Sequence, residues 1–97
     1  MAFIQIIDFH TPKIDEGRKA VDEYFAKTEG KRTARRGLLC QDREDPTHYV
    51  NIVFFDSYES AMKNSEMPET SELSGKLMAL TEGPATFLNL DIVDDRA

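Results

Sequence analysis

Two segments of this 97-residue chain, Phe3–Phe9 and His48–Phe55, read as β-strands that are apolar on both faces. In the first, strict alternation puts Phe3, Ile7 and Phe9 on one side and Ile4 and Ile6 on the other. The second, His48-Tyr49-Val50-Asn51-Ile52-Val53-Phe54-Phe55, is denser still in β-branched and aromatic residues. A strand patterned this way is stable only when both of its faces are buried. Ninety-seven residues make one domain, spanning 1–97, with a thin core. The second face of such a sheet therefore has to be covered from outside the chain.

Between and after these strands the other elements follow. Thr11-Pro12 reads as a helix start, with Thr11 as N-cap and Pro12 in the first turn. Counted from Ile14, the residues Gly17, Val21, Tyr24, Phe25 and Thr28 form one stripe of an amphipathic helix that ends near Gly30. Gly37-Leu38-Leu39-Cys40, within Thr33 to Asp42, is a further strand, and the polar run from Asp42 to Thr47 is the turn of an antiparallel hairpin with His48–Phe55. Asp56-Ser57-Tyr58-Glu59 offers a capping pattern for a short helix through Ala61 and Met62, which Pro68 interrupts. Thr70 then caps a segment carrying Leu73, Leu77 and Leu80, Gly83-Pro84 stops it, and Phe87 to Val93 is the last strand. The order β-α-β-β-α-β predicts an α+β, ferredoxin-like sandwich: one antiparallel sheet with both helices on one face. The bare second face then predicts a homodimer formed through the sheets.

Charge and cysteine content narrow the partners. Twelve basic and 18 acidic residues give a net charge of −6, which argues against nucleic acid and anionic membranes, since both need a positive field. No apolar run approaches the ~18 residues that span a bilayer. The start, Met-Ala-Phe-Ile-Gln-Ile-Ile-Asp, lacks a basic region before its apolar stretch, so no secretory leader is expected there. The single cysteine, Cys40, has no partner for an internal disulfide and reads as a small buried hydrophobe, which fits a reducing cytoplasm.

With these elements in place, the chain resembles the dimeric α/β-barrel superfamily and, within it, the antibiotic-biosynthesis-monooxygenase-like group. The resemblance rests on element order over nearly the whole chain, on Tyr49 to Met62 with its strand, acidic/Ser segment and helix, and on Leu80-Thr81-Glu82-Gly83-Pro84-Ala85-Thr86-Phe87. It implies a pocket between sheet and helices. In some relatives such a pocket hosts monooxygenation of electron-rich aromatic or polyketide-like molecules with neither metal nor flavin, the substrate itself supplying electrons to oxygen. Many members of the group carry Trp where Phe55 stands and His where Asn64 aligns, and this chain has no Trp. The Asn, His and Trp constellation of haem-degrading relatives is thus absent.

Candidate site residues come from both sources. His48 and His10 are the only imidazoles, the side chains that titrate near pH ~6.5 and serve as general bases. Neither lies at metal-ligand spacing from Cys or Glu, so no metal site is expected. Asn51 places an amide in the middle of the most apolar strand, where an unpaired buried polar group costs about 1–3 kcal/mol. It therefore needs a bonding partner, either protein or ligand. Asn64 enters through its aligned position. Together, Asn51, Asn64 and His48 form the catalytic set, and Tyr24, Phe25, Arg36 and Phe55 the substrate-binding set. Arg36 comes from the one basic cluster, Lys31 to Arg36, as a bidentate anchor for an acidic group. The competing expectations are a non-catalytic small-ligand-binding or scaffold protein of the same dimeric fold, and a dimer that is itself the unit met by a protein partner.

Overall fold

The computed structural model describes all residues, 1–97. Along the chain run β1 (Phe3–His10), α1 (Ile14–Lys27), β2 (Arg36–Gln41), β3 (His48–Phe55), α2 (Tyr58–Ser65), α3 (Pro68–Met78) and β4 (Thr86–Asp91). The four strands form one antiparallel sheet in the order β2-β3-β1-β4. The ferredoxin-like order expected from the pattern is present, with the second helix divided into α2 and α3.

Register decides which side chains share a face. Phe3 stands opposite Phe55 and Asp91, and Ile7 opposite Asn51 and Phe87. Odd-numbered residues of β1, β3, β2 and β4 therefore share one side of the sheet. The helices lie there: Phe3 and Phe55 form a buried cluster with Ala61 of α2, joined by Val53, Ala34 and Met62. The even-numbered side, with Ile4, Ile6, Leu38, Val50, Ile52, Phe54, Leu88 and Leu90, has no helix over it. There Leu88 is 51% exposed and Leu90 40%. Only 9 of the 97 residues are buried, so a single layer of helices gives this chain a small core.

The helix layer is held by its own contacts. Gly17 of α1 meets Leu77 and Leu80, and Tyr24 reaches Thr70 of α3 with its hydroxyl 2.8 Å from Thr70 Oγ1. Thr28, fully buried, closes α1 by donating its hydroxyl to the Tyr24 carbonyl at 2.7 Å.

Several local expectations need correction. Helix α1 begins at Ile14 after Lys13, not at Thr11. Thr11 is drawn into a long-range role, donating its hydroxyl to the Leu80 carbonyl at 2.6 Å while accepting from the Lys13 N–H at 3.0 Å. Ser57, not Asp56, caps α2, accepting from the Ser60 N–H at 3.1 Å, because Asp56 is held by Arg35. Pro68 starts α3 instead of separating it from a cap at Thr70, since a proline in the first turn loses no helical hydrogen bond. Strand β4 is Thr86–Asp91, ending short of Val93. Cys40 is exposed, because it points to the open side of the sheet.

Two substitutions test this packing. Replacing Phe3 by Ala removes the centre of the buried cluster and should cost about 3–5 kcal/mol. Replacing Gly17 by Ala should raise stability by about 0.5–1 kcal/mol, because the new methyl meets Leu77 Cδ2 at 3.7 Å and Leu80 Cδ1 at 4.0 Å, ordinary contact distances. Urea unfolding of both variants measures each effect.

Candidate functional site

The helix-facing side of the sheet carries amides among its apolar residues. Asn51 lies at the centre of this side, between Ile7 of β1 and Leu39 of β2. No buried side-chain nitrogen or oxygen in the structure lacks a hydrogen-bond partner. Asn51 meets that condition by staying partly open to solvent. One register step along, Gln5 donates from Nε2 to Asn89 Oδ1 at 3.2 Å. Asn89 lines a cavity of about 480 Å³ with Met1, Phe3, Tyr58, Glu59 and Asp91. Tyr58 meets Phe3 edge to face, ring centroids 5.5 Å apart.

Asn64 is placed differently. It is buried, 7% exposed, and both ends of its amide are used within the protein. Its Nδ2 donates to the Tyr24 hydroxyl at 3.1 Å, and its Oδ1 accepts from the Thr33 N–H at 3.1 Å. Tyr24 is buried and bonded in turn to Thr70. One amide and one phenol thus join α1, α2, α3 and the segment before β2.

The other expected residues divide between the two sides. Phe55 is buried on the helix side, 6.3 Å from Phe3 between ring centroids. Phe25 is 43% exposed on α1, with the Arg32 guanidinium 4.0 Å over its ring. Arg36 and His48 stand on the opposite, open side. The Arg36 guanidinium lies 5.7 Å from the Phe54 ring centroid, at the other end of that face from His48. His48 places Nδ1 2.8 Å from Asp42 Oδ2 and Nε2 2.8 Å from Asp8 Oδ1. The structure therefore brings Asn51 and Phe55 to the side facing Tyr24 and Asn64, and keeps His48 and Arg36 on the other side.

Three of the remaining basic residues in the Lys31–Arg36 cluster have partners. Lys31 pairs with Glu69. Arg32 donates to the Phe25 carbonyl at 3.0 Å. Arg35 grips Asp56 through Nε and a terminal nitrogen, at 3.0 and 2.6 Å to Oδ2, and holds that carboxyl below its usual range. No group of three His, Cys, Asp or Glu side chains is arranged to hold a metal ion. Gln5 and Asn89 were not among the residues singled out from sequence. Their signal was the alternation itself, which puts Gln5 with Phe3 and Ile7, and sets Asn89 between Leu88 and Leu90.

The two asparagines should separate on stability. Asn64→Ala leaves the Thr33 N–H and the Tyr24 hydroxyl without partners and should cost about 1–3 kcal/mol. Asn51→Ala should change stability by no more than about 0.5 kcal/mol, as at a solvent-reached position. Denaturant midpoints of the two variants measure this difference.

No protein-family model matches the sequence, and no curated protein matches it. Solved structures do match. SnoaB, a cofactor-independent oxygenase from Streptomyces nogalater, is 15% identical, with 97% of this chain and 95% of that one covered and a TM-score of 0.81. The structure of Rv0793 from Mycobacterium tuberculosis is 14% identical over 100% of both chains, with a TM-score of 0.78. An antibiotic biosynthesis monooxygenase is 22% identical over 97% of this chain and 100% of its own, with a TM-score of 0.75. At these identities the likeness is one of fold, and the fold is that of the antibiotic biosynthesis monooxygenases.

Proposed function

Taking that shared fold as premise, we propose that this protein is a small homodimeric oxygenase that works without metal or flavin. Its substrate is an electron-rich aromatic or polyketide-like molecule bound between sheet and helices. The observation that carries the reading is the position of Asn51: a partly open amide at the centre of the helix-facing side, in a fold shared with a cofactor-independent oxygenase. In such a reaction the substrate gives up its electrons to dioxygen. One oxygen atom becomes a new carbonyl on the substrate, which loses two hydrogens as C–H or O–H bonds break, and the other oxygen leaves with those hydrogens as water. Asn51 has the chemistry to donate its N–H to the substrate oxygen on which negative charge gathers, and Phe55 backs the wall beside it. Tyr24 and Asn64 keep the helices in place over the ligand.

The open side of the sheet supports the homodimer. Ile4, Ile6, Ile52, Phe54 and Leu88 form an apolar surface that a second copy of the same surface would cover. Nothing in the helix layer prevents this, since all three helices lie on the opposite side. No helix is long and apolar enough to cross a membrane, and a cytoplasmic dimer fits the single cysteine.

Oxygen uptake with a panel of phenols and hydroquinones tests the activity. Turnover with one of them, reduced about 10²-fold in Asn51→Ala, is the expected result; a preorganised donor to developing negative charge typically contributes that much. A ligand retained through purification with no oxygen uptake favours the non-catalytic binding reading. Native mass spectrometry tests the dimer. Wild-type protein should appear as a dimer and Ile52→Glu as a folded monomer, whereas a monomeric wild type at micromolar concentration overturns the assembly.

A further inference from the structure

The end of the sheet where β3 begins holds a side-chain cluster that the oxygenase reading does not use. His48 sits on the open side with a side chain 23% exposed. Both its ring nitrogens meet carboxylates: Nδ1 lies 2.8 Å from Asp42 Oδ2, in the turn between β2 and β3, and Nε2 lies 2.8 Å from Asp8 Oδ1, on β1. A neutral imidazole has one N–H and one lone pair, and an ionised carboxylate only accepts. Both contacts are satisfied together only when the ring is an imidazolium. His10, its register partner on β1, stacks on it with centroids 4.6 Å apart and planes 14° from parallel, and turns Nε2 toward Asp45 Oδ2 at 3.6 Å.

These residues also carry much of the turn's hydrogen bonding. Asp42 donates its N–H to the His48 carbonyl at 2.9 Å, and His48 donates to the Asp45 carbonyl at 3.1 Å. Asp45 accepts from the Thr47 N–H and hydroxyl at 3.0 and 2.8 Å. Thr47 in turn receives the Thr11 N–H at 2.9 Å, so the turn is joined to the start of the helix layer.

We propose that His48 is a protonation-dependent latch that, as an imidazolium, fastens the β2–β3 turn to β1 and, once neutral, lets go of one of the two carboxylates. The groups facing it are Asp8 and His10 from β1 and Asp42 and Asp45 from the turn. Arg43 and Glu44 in the turn, Lys13 ahead of α1 and Glu82 ahead of β4 are exposed. Hydrogen bonds to Asp42 and then Asp8 hold the His48 ring above its usual range, and the bond to His48 holds the Asp42 carboxyl below its own. A raised imidazole favours the fastened form fully below the ordinary histidine value of about 6.5 and ceases to do so as pH rises through the raised one. A lowered carboxyl is lost as pH falls through its own value. The latch therefore contributes in full from about pH 4 to 6.5, is lost on acidification only as pH falls through the lowered Asp42 value, and opens on alkalinisation as pH rises through the raised His48 one. It works within one chain and does not depend on the oxygenase reading.

The test is NMR of the full chain across this range, following the His48 ring nitrogens and the amide exchange of Asp42, Glu44, Thr47 and His48, corrected for intrinsic pH dependence. The imidazolium signature should persist above the midpoint of the urea-unfolded chain. Asp42→Asn and Asp8→Asn should each lower that midpoint. Turn protection should fall as His48 loses its proton and should be independent of pH in His48→Gln. A neutral His48 ring at pH 6, a midpoint unmoved by both carboxylate substitutions, or turn protection that ignores the His48 titration overturns the proposal. If one carboxylate variant does not fold, the other and the wild-type titration still decide.

Discussion

A β-strand offers its side chains to two sides in turn, and in β1 and β3 both sides are apolar. That one constraint organises the molecule. Three helices that together span 33 residues cover the odd side alone, and the even side of the sheet is left with Ile4, Ile6, Val50, Ile52 and Phe54 facing outward. A single-residue slip of register would exchange the two sets. The pairing of Phe3 with Phe55 therefore decides which surface becomes the interior and which becomes available to a partner. It also decides where each polar residue of the strands goes. Gln5 and Asn51 fall inside with the helices, while Asp8 and His48 fall outside.

Much of this was legible from the chain. Alternation in Phe3–Phe9 and His48–Phe55, the stripe from Ile14 to Thr28 and the polar turn from Asp42 to Thr47 are local signals, and they lead to the observed sheet and helices. Two of the failures, at Thr11 and Asp56, share a cause. Thr11 looks like a helix cap because threonine beside proline so often is one, but its hydroxyl is taken by a carbonyl 69 residues away. Asp56 looks like the cap of α2, but Arg35 holds it and leaves the role to Ser57. Each time a competing partner, distant in sequence, outbids the local one, and no window of the chain contains both.

Asn64 and His48 show the same limit at the level of function. Asn64 has the residue type of a ligand-binding group, and its neighbours in sequence do nothing to occupy it. Its partners Tyr24 and Thr33 lie 40 and 31 positions away. His48 has the residue type of a general base, yet Asp8, 40 positions away, takes one nitrogen while Asp42 takes the other. Residue chemistry can be read from a sequence. Whether that chemistry is already committed within the fold cannot.

The contrast between the two asparagines bears on how such a small domain keeps an amide open to solvent inside its helix-facing side. Burying Asn64 is tolerable because the Thr33 N–H and the Tyr24 hydroxyl repay its lost hydration, and the result ties three helices together. Asn51 has no such arrangement. It sits on the strand with the strongest tendency to be buried, and it remains compatible with the fold because the helix layer leaves it in contact with solvent. Closing that gap with larger helix side chains would strengthen the core and strand the amide at once. A thin core and an accessible amide are therefore two consequences of the same spacing between sheet and helices. On this view the modest burial of the chain is the condition under which Asn51 stays in contact with solvent on a largely apolar strand.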